Sequence, residues 1–196
     1  DVRRLDRLIS DISDASRLDA ELAREDAAPV DLAELLRTTV PLFNDIHRDD
    51  TLEVVLEIAY SPGARPYRCI GHDSRLGQVI VNLLENAISF SPPNGRVTLQ
   101  AKRVGPEIQI AIEDEGPGIP PENLERIFER FYTDRPQENF GQNSGLGLNI
   151  SRQIVMAHGG SMWAENRPAD AASPKPPHGS EPGSGGARFV IRLPAA

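Results

Sequence analysis

Within Gln78-Val-Ile-Val-Asn82-Leu-Leu-Glu-Asn86-Ala-Ile-Ser89-Phe90, the polar residues Gln78, Asn82, Asn86 and Ser89 lie four, four and three apart, so a helix puts them on one stripe. Val79, Ile80, Leu83, Leu84 and Ala87 take the opposite, core-facing stripe. Two carboxamides one turn apart offer neutral oxygens, which suit a Mg2+ ion already carrying phosphate ligands. The competing reading is a solvated polar face, although Glu and Lys are commoner there because Asn is a poor helix former.

A second group follows in Asp114-Glu-Gly116-Pro-Gly118-Ile119. Alternation puts Ile108, Ile110, Ile112 and Asp114 on one strand face, so an apolar face ends in a carboxylate. A buried carboxylate needs hydrogen-bond donors. The exocyclic amine of a purine is one candidate, with the glycine turn leaving room for the ring. The N–H groups of its own turn are the other. Further on, Ile127-Phe128-Glu129-Arg130-Phe131-Tyr132 reads as a core anchor and hinge ahead of the polar, irregular segment 132–144. Gly141-Gln-Asn-Ser144-Gly145-Leu146-Gly147-Leu148 then opens a helix. Its first N–H groups lack helical partners and sit at the positive end of the dipole, which suits an anion. No Gly-Lys-Ser/Thr follows, which excludes a P-loop. No strand precedes, which argues against a dinucleotide-binding Rossmann unit.

These groups need elements to hold them. Residues 1–26 contain no Gly or Pro and repeat an apolar seam (Leu5 and Ile12; Leu8, Ala15 and Leu22), as one helix of a bundle or dimer does. The chain starts on that seam, so we expect a piece of a longer protein. After Pro29, the pattern predicts a short strand at Val30–Leu32 and a helix over Leu32–Phe43, capped by Asp31 and interrupted in its last turn by Pro41. Strands follow at Leu52–Tyr60 and Tyr67–Ile70, and then a helix at Ser74–Ser89. A hairpin comes next, with strands Val97–Arg103 and Ile108–Asp114. A short helix is expected at Glu122–Glu129 and another from Gly145 to about His158, stopped by Gly159-Gly160. Strands Met162–Glu165 and Ala187–Leu193 close the chain around a Pro/Gly-rich surface loop, 168–186. The expected fold is α+β, a two-layer sandwich of a mixed, largely antiparallel sheet with helices on one face, preceded by one helix.

The composition narrows the function classes. The 196 residues carry a net charge of −8, which argues against a nucleic-acid partner. No apolar run approaches the ~18 residues of a membrane helix, so we expect no membrane contact by this segment. Cys69 is the only cysteine, so no internal disulfide or cysteine metal cluster can form and a reducing, cytoplasmic setting fits.

Taken in order, Asn82…Asn86, Asp114-x-Gly116-x-Gly118, Phe128–Phe131 and Gly145-x-Gly147 resemble the asparagine, first glycine, phenylalanine and second glycine boxes of bacterial two-component sensor histidine kinases. The ATP-binding domain of those kinases belongs to a wider family shared with DNA gyrase and MutL. Phe131-Tyr132-Thr-Asp-Arg-Pro136 and Asn143-Ser-Gly-Leu-Gly-Leu148 are most similar to alphaproteobacterial sensors of the ChvG/ExoS/BvrS type. The resemblance implies a Bergerat ATP fold over 27–196. It likens residues 1–26 to the second helix of a dimerisation and histidine-phosphotransfer hairpin. It also implies ATP and Mg2+ as cofactors, with Asn86 and Asn82 as metal ligands. Asp114 then receives the adenine amine, directly or through water, Gly116 and Gly118 line the base pocket, and the helix start at Gly145, Leu146, Gly147 and Leu148 holds the phosphates; Phe90, Ile119, Phe131, Tyr132 and Ser144 complete the implied ATP-binding set. A lid spans about Tyr132–Ser144, hinged at Phe131. The implied partners are a response regulator and a second copy through the hairpin helices, in the cytoplasmic portion of an inner-membrane sensor.

The sequence departs from that pattern in places. Ser89 stands where a basic residue is usual, leaving Arg130, Arg135 or the lid to supply positive charge. Phe90 replaces a common Tyr, and the last glycine box, near Gly183–Gly186, is only loosely recognisable. The phosphoacceptor motif is absent around His47, His72, His158 and His178, so the acceptor histidine is expected outside these residues. His47 reads as a surface histidine and His158 as a helix cap. Two other functions compete. An ATP-hydrolysing enzyme of the gyrase or MutL class carries a Glu one turn before the metal-binding Asn, and here that position is Asn82, with Glu85 about a quarter-turn off. A non-catalytic dimerisation or scaffold module is the other alternative.

Overall fold

The computed structural model describes residues 27–47, 52–60, 67–132, 145–168 and 184–196. The expected helix at 1–26, most of the lid, Ser144, Arg135, His178 and the central part of the 168–186 loop lie outside the described residues.

Strand β1 (Ala28–Asp31) runs into helix α1 (Leu32–Ile46). Asp31 caps that helix, its Oδ1 accepting from the N–H groups of Ala33 at 3.1 Å and Glu34 at 3.3 Å. Contrary to expectation, Pro41 does not interrupt α1, which continues to Ile46. Pro41 is exposed, so water can reach the carbonyl its ring leaves unpaired. The remaining strands are β2 (Glu53–Ile58), β3 (Arg68–Gly71), β4 (Arg96–Val104), β5 (Glu107–Glu113), β6 (Ser161–Pro168) and β7 (Ser184–Pro194). Helix α2 covers Asp73–Phe90 and helix α3 covers Gly147–Ala157.

The main sheet has the order β2-β4-β5-β7-β6, with β2 parallel to β4 and every other pair antiparallel; β1 and β3 form a separate antiparallel pair. The fold class is therefore as expected. Alternation decides which sheet face is covered. Val97, Leu99, Ala101, Ile108, Ile110, Ile112, Phe189, Ile191 and Leu193 are buried against the apolar stripes of the helices. Those stripes are Leu32, Leu36, Val40 and Phe43 on α1; Leu76, Val79, Ile80, Leu83, Leu84 and Ala87 on α2; and Ile150, Ile154 and Val155 on α3. Removing one such side chain, as in Leu83→Ala, costs about 2–5 kcal/mol. The other face carries ion pairs. Arg188 lies between Glu113 and Glu165, and the Arg192 guanidinium sits over the Trp163 ring at 5.2 Å.

Most element ends lie one to three residues from the sequence reading, and two helices depart from it in kind or in their starting point. The expected helix at Glu122–Glu129 is instead two separate 3-10 turns, Pro121–Asn123 and Arg126–Phe128, with hydrogen bonds spanning three residues. Eight residues behind two prolines are too few to nucleate a stable α-helix, and the tighter turns are enough to bury Phe128. Helix α3 starts at Gly147, not Gly145, because Gly145 has φ +71°. The far end of α3 stops as expected. Gly159 has φ +71°, and the Gly160 N–H bonds back to the Val155 carbonyl at 2.9 Å.

His158 is more than a helix cap. Its Nε2 accepts the backbone N–H of His72 at 3.0 Å, and its Nδ1 donates to the Ile154 carbonyl at 2.7 Å. His47 is half-buried, stacked on Phe43 with ring centroids 4.4 Å apart.

Candidate functional site

The carboxyl end of β5, the amino end of β7 and the last turn of α2 come together around Asp114, and the first turn of α3 packs on the middle of α2 at Asn82. Of the predicted site residues, Phe90, Gly116, Gly118 and Ile119 lie about Asp114, Asn82 and Gly147 face each other, and Ser144 is outside the described residues.

Asp114 directly follows β5 and is 1% exposed. Its Oδ1 accepts two backbone N–H groups, Gly116 at 2.9 Å and Ala187 at 3.0 Å. The turn therefore supplies one donor, as the simpler sequence reading proposed, and β7 supplies the second. Oδ2 receives no hydrogen bond from the described residues. Burial pushes the carboxyl up to about 6, against the lowering effect of those two N–H bonds and of the nearby Arg167. The group is thus an acceptor at neutral pH with one oxygen unspent.

The arch Gly116-Pro117-Gly118-Ile119 departs from Asp114. A Cβ on Gly116 would sit 2.6 Å from the Phe90 carbonyl oxygen, so glycine is what lets the end of α2 approach the arch. Gly118 has φ +79°. Phe90 itself is 38% exposed beside the arch. At the far end of the arch, Asn166 forms a reciprocal pair with Ile119: its Oδ1 accepts the Ile119 N–H and its Nδ2 donates to the Ile119 carbonyl, both at 2.7 Å. The adjacent Arg167 donates to the carbonyl of Asp114 at 3.0 Å and to that of Gly185 at 3.3 Å, and pairs with Glu113 at 3.2 Å. Gly186, at φ +114°, packs where any side chain would overlap the Asp114 carbonyl. The glycine box that is hard to recognise in sequence thus has a steric role.

The two carboxamides of α2 have different surroundings. Asn82 Nδ2 donates to the Gly147 carbonyl at 3.4 Å and to Ser151 Oγ at 3.3 Å, tying α2 to the first turn of α3 and leaving Oδ1 unbonded among the described residues. The Asn86 carboxamide makes no hydrogen bond among the described residues and is half-buried. The Ser89 hydroxyl donates to the Asn86 carbonyl at 2.7 Å, an in-helix contact that places no charge where a basic residue is usual. Arg130 is exposed.

Helix α3 begins without a side-chain cap, with Leu146 at its N-cap position and buried. Gly147 lies 3.8 Å from the Asn82 carboxamide carbon, measured from where its Cβ would be. Leu148 is half-buried beside the core. The ends of the expected lid are joined, the Phe131 N–H donating to the Gly145 carbonyl at 3.0 Å. Phe131 has φ 64° and is 58% exposed, an uncommon conformation for a bulky residue, with a strain of about 1–2 kcal/mol. A Cβ on Gly145 would meet the Tyr132 carbonyl at 2.8 Å. The Arg126 guanidinium lies 5.1 Å from the Tyr132 ring, and Asn149 Nδ2 donates to the Phe128 carbonyl at 2.7 Å, fixing the phenylalanine segment against α3.

Sequence reasoning missed Asn166, Arg167 and Asn149, because their partners are backbone groups distant in sequence. Among the described residues no cluster of three or more His, Cys, Asp or Glu side chains could hold a metal. No helix of the described residues is long and apolar enough to cross a membrane.

The chain is 52% identical over 200 residues to the sensor protein ChvG of Rhizobium meliloti (strain 1021), covering all of this chain and 33% of that protein. Its fold matches full-length ShkA in complex with AMPPNP, with a TM-score of 0.72 and 27% identity over 97% of this chain and 35% of that one. It also matches the histidine kinase ThkA in complex with the response regulator protein TrrA, with a TM-score of 0.71 and 25% identity over all of this chain and 49% of that one. Residues 71–196 match the family described as histidine kinase-, DNA gyrase B-, and HSP90-like ATPase; the chain belongs to that family and is a histidine-kinase catalytic domain homologous to the ChvG and ThkA sensor kinases.

Proposed function

We propose that the cleft between α2, the Asp114–Ile119 arch and the start of α3 binds Mg-ATP and presents its γ-phosphoryl group to a histidine outside these residues. The phosphoryl group then passes to an aspartate of a response regulator. The observation that carries this reading is Asp114, which is buried and keeps Oδ2 unspent beside an arch whose Gly116 lets the end of α2 approach closely. An adenine amine matches that acceptor. Gly116, Gly118, Ile119 and Phe90 flank the ring, and the first turn of α3, which has no side-chain cap, faces the phosphates with Gly145, Leu146, Gly147 and Leu148; Ser144, outside the described residues, belongs to the same ATP-binding set. Phe131 and Tyr132 form the lid's neck.

The residues present fit a magnesium ion. Asn86 has an unengaged carboxamide, and Asn82 has an unbonded Oδ1 once its amide is turned to α3. Both oxygens are hard, neutral donors. The ion would neutralise charge on the phosphates. Positioning and charge stabilisation do most of the work in phosphoryl transfer, and neutral imidazole is already a nucleophile. Hydrolysis is less supported, since Asn82 stands where a hydrolase needs a carboxylate. The relative's response regulator supports one as partner here; a homodimer through the hairpin helices of the parent protein, on the cytoplasmic side of a membrane sensor, is part of the same proposal.

γ-Phosphate-labelled ATP supplies the test. The chain alone is expected to gain no acid-labile label, whereas an added dimerisation hairpin of a ChvG-type sensor, carrying its acceptor histidine, becomes labelled. Acid-labile label on the chain alone, or free phosphate with no labelled hairpin, would overturn the proposal.

A further inference from the structure

We propose that Asn166 is a positioning residue for base recognition, acting through Ile119; this rests on the nucleotide reading above. The Asp114–Ile119 arch has two ends, and both are held by the β6–β7 hairpin. At the first end Asp114 exchanges hydrogen bonds with Ala187, its N–H donating to the Ala187 carbonyl at 3.0 Å while Oδ1 accepts the Ala187 N–H. At the second end the Asn166 carboxamide bonds both the N–H and the carbonyl of Ile119, as a neighbouring strand would. Asn166 stands opposite Ala187 in the β6–β7 ladder, so one cross-strand pair sets both anchors. The ladder shifts immediately afterwards, between Asn166 and Pro168. There Arg167, on the opposite sheet face, reaches the Asp114 and Gly185 carbonyls.

The stretch between the anchors, Pro117-Gly118, must hold its distance from Asp114 Oδ2 if an amine is to reach that atom while the ring lies against the arch. Asn166 touches neither the base nor the phosphates. Its effect is confined to how well the arch and Asp114 are spaced for an amine-bearing purine. A residue that merely stabilised the fold would weaken all nucleotides alike.

The test is affinity for Mg-ATP and for Mg-purine riboside triphosphate, which lacks the exocyclic amine, measured by calorimetry on the 196-residue chain. Wild type is expected to prefer ATP by about tenfold, the value of one well-made hydrogen bond. In Asn166→Ala that ratio is expected to fall to about two- or threefold, with melting temperature followed in parallel. Asn166→Asp guards against misfolding of the alanine variant. It keeps an acceptor for the Ile119 N–H and cannot donate to the Ile119 carbonyl, so it too should narrow the ratio. A ratio unchanged in both variants, with ATP preferred by wild type, overturns the role of Asn166 and leaves the base site standing. Equal affinity of wild type for the two ligands overturns the base site itself, and this proposal with it.

Discussion

Asp114 and Ala187 are joined by two hydrogen bonds, the Asp114 N–H donating to the Ala187 carbonyl and the Ala187 N–H donating to Asp114 Oδ1, each at 3.0 Å. The first extends the sheet by one more backbone bond. The second spends half of a buried carboxylate on the scaffold and leaves the other half for a ligand.

Asp114→Asn separates those halves. An asparagine Oδ1 can keep both backbone bonds, while its Nδ2 replaces the acceptor that an adenine amine needs. Loss of the buried charge also removes a burden of up to roughly 3 kcal/mol carried by the ionised carboxylate. ATP affinity is expected to fall at least about tenfold, with a melting temperature equal to or above that of wild type. Calorimetry and a thermal melt check both halves.

Proton binding should report on the same group. The Asp114 carboxyl is raised to about 6 in the fold, above its ordinary 3.8. The folded state therefore binds the proton more readily between those values. Its contribution to stability grows as pH falls through that window and is lost as pH rises to about 6. Wild type should gain stability relative to Asp114→Asn as pH drops from about 6 to 4. Over the same acid side its ATP affinity should fall, because a protonated Oδ2 opposes an amine donor.

His158 should behave in the opposite sense. Burial, partly offset by its bond to the Ile154 carbonyl, holds this imidazole below its ordinary value of 6.5, and the neighbouring His72 pushes the same way. The unfolded chain binds the proton more readily, so this contribution is present above pH 6.5 and is lost as pH falls below it. The His158→Ala variant is expected to melt lower at pH 8 and to show a shallower decline between pH 6.5 and 5, measured by melting temperature against pH.

The residues showed unequal parts of this site in advance. Asp114 was legible because strand alternation is local, and Asn82 and Asn86 because one helical turn separates them. Asn166 and Ile119 are 47 apart in sequence, and His72 and His158 are 86 apart, so no local periodicity joins them. Gly186 was visible as a glycine, but its reason is the carbonyl of Asp114, brought near only by pairing of β5 with β7. The short helix expected at 122–129 broke into 3-10 turns because burial of Phe128 outweighed a weak local preference.

Gly186→Ala tests the close packing behind Asp114. The new Cβ would overlap the Asp114 carbonyl in a backbone conformation that side chains rarely adopt. The variant is expected to lose about 2–4 kcal/mol of stability, judged by denaturant unfolding.

Asn86→Ala addresses the metal. Its carboxamide makes no hydrogen bond among the described residues, so the fold should be little changed. With Mg2+, ATP affinity is expected to fall about tenfold; in chelator, variant and wild type should bind alike. Equal losses in both conditions would place Asn86 away from the ion.

The most direct measurement is a crystal structure of the chain grown with a non-hydrolysable ATP analogue and Mg2+. Density for the nucleotide is expected between α2 and the arch, its amine on Asp114 Oδ2, the ion on Asn86 and the phosphates at the first turn of α3. A nucleotide bound elsewhere, or a cleft filled by the protein's own side chains at saturating ligand, would contradict it.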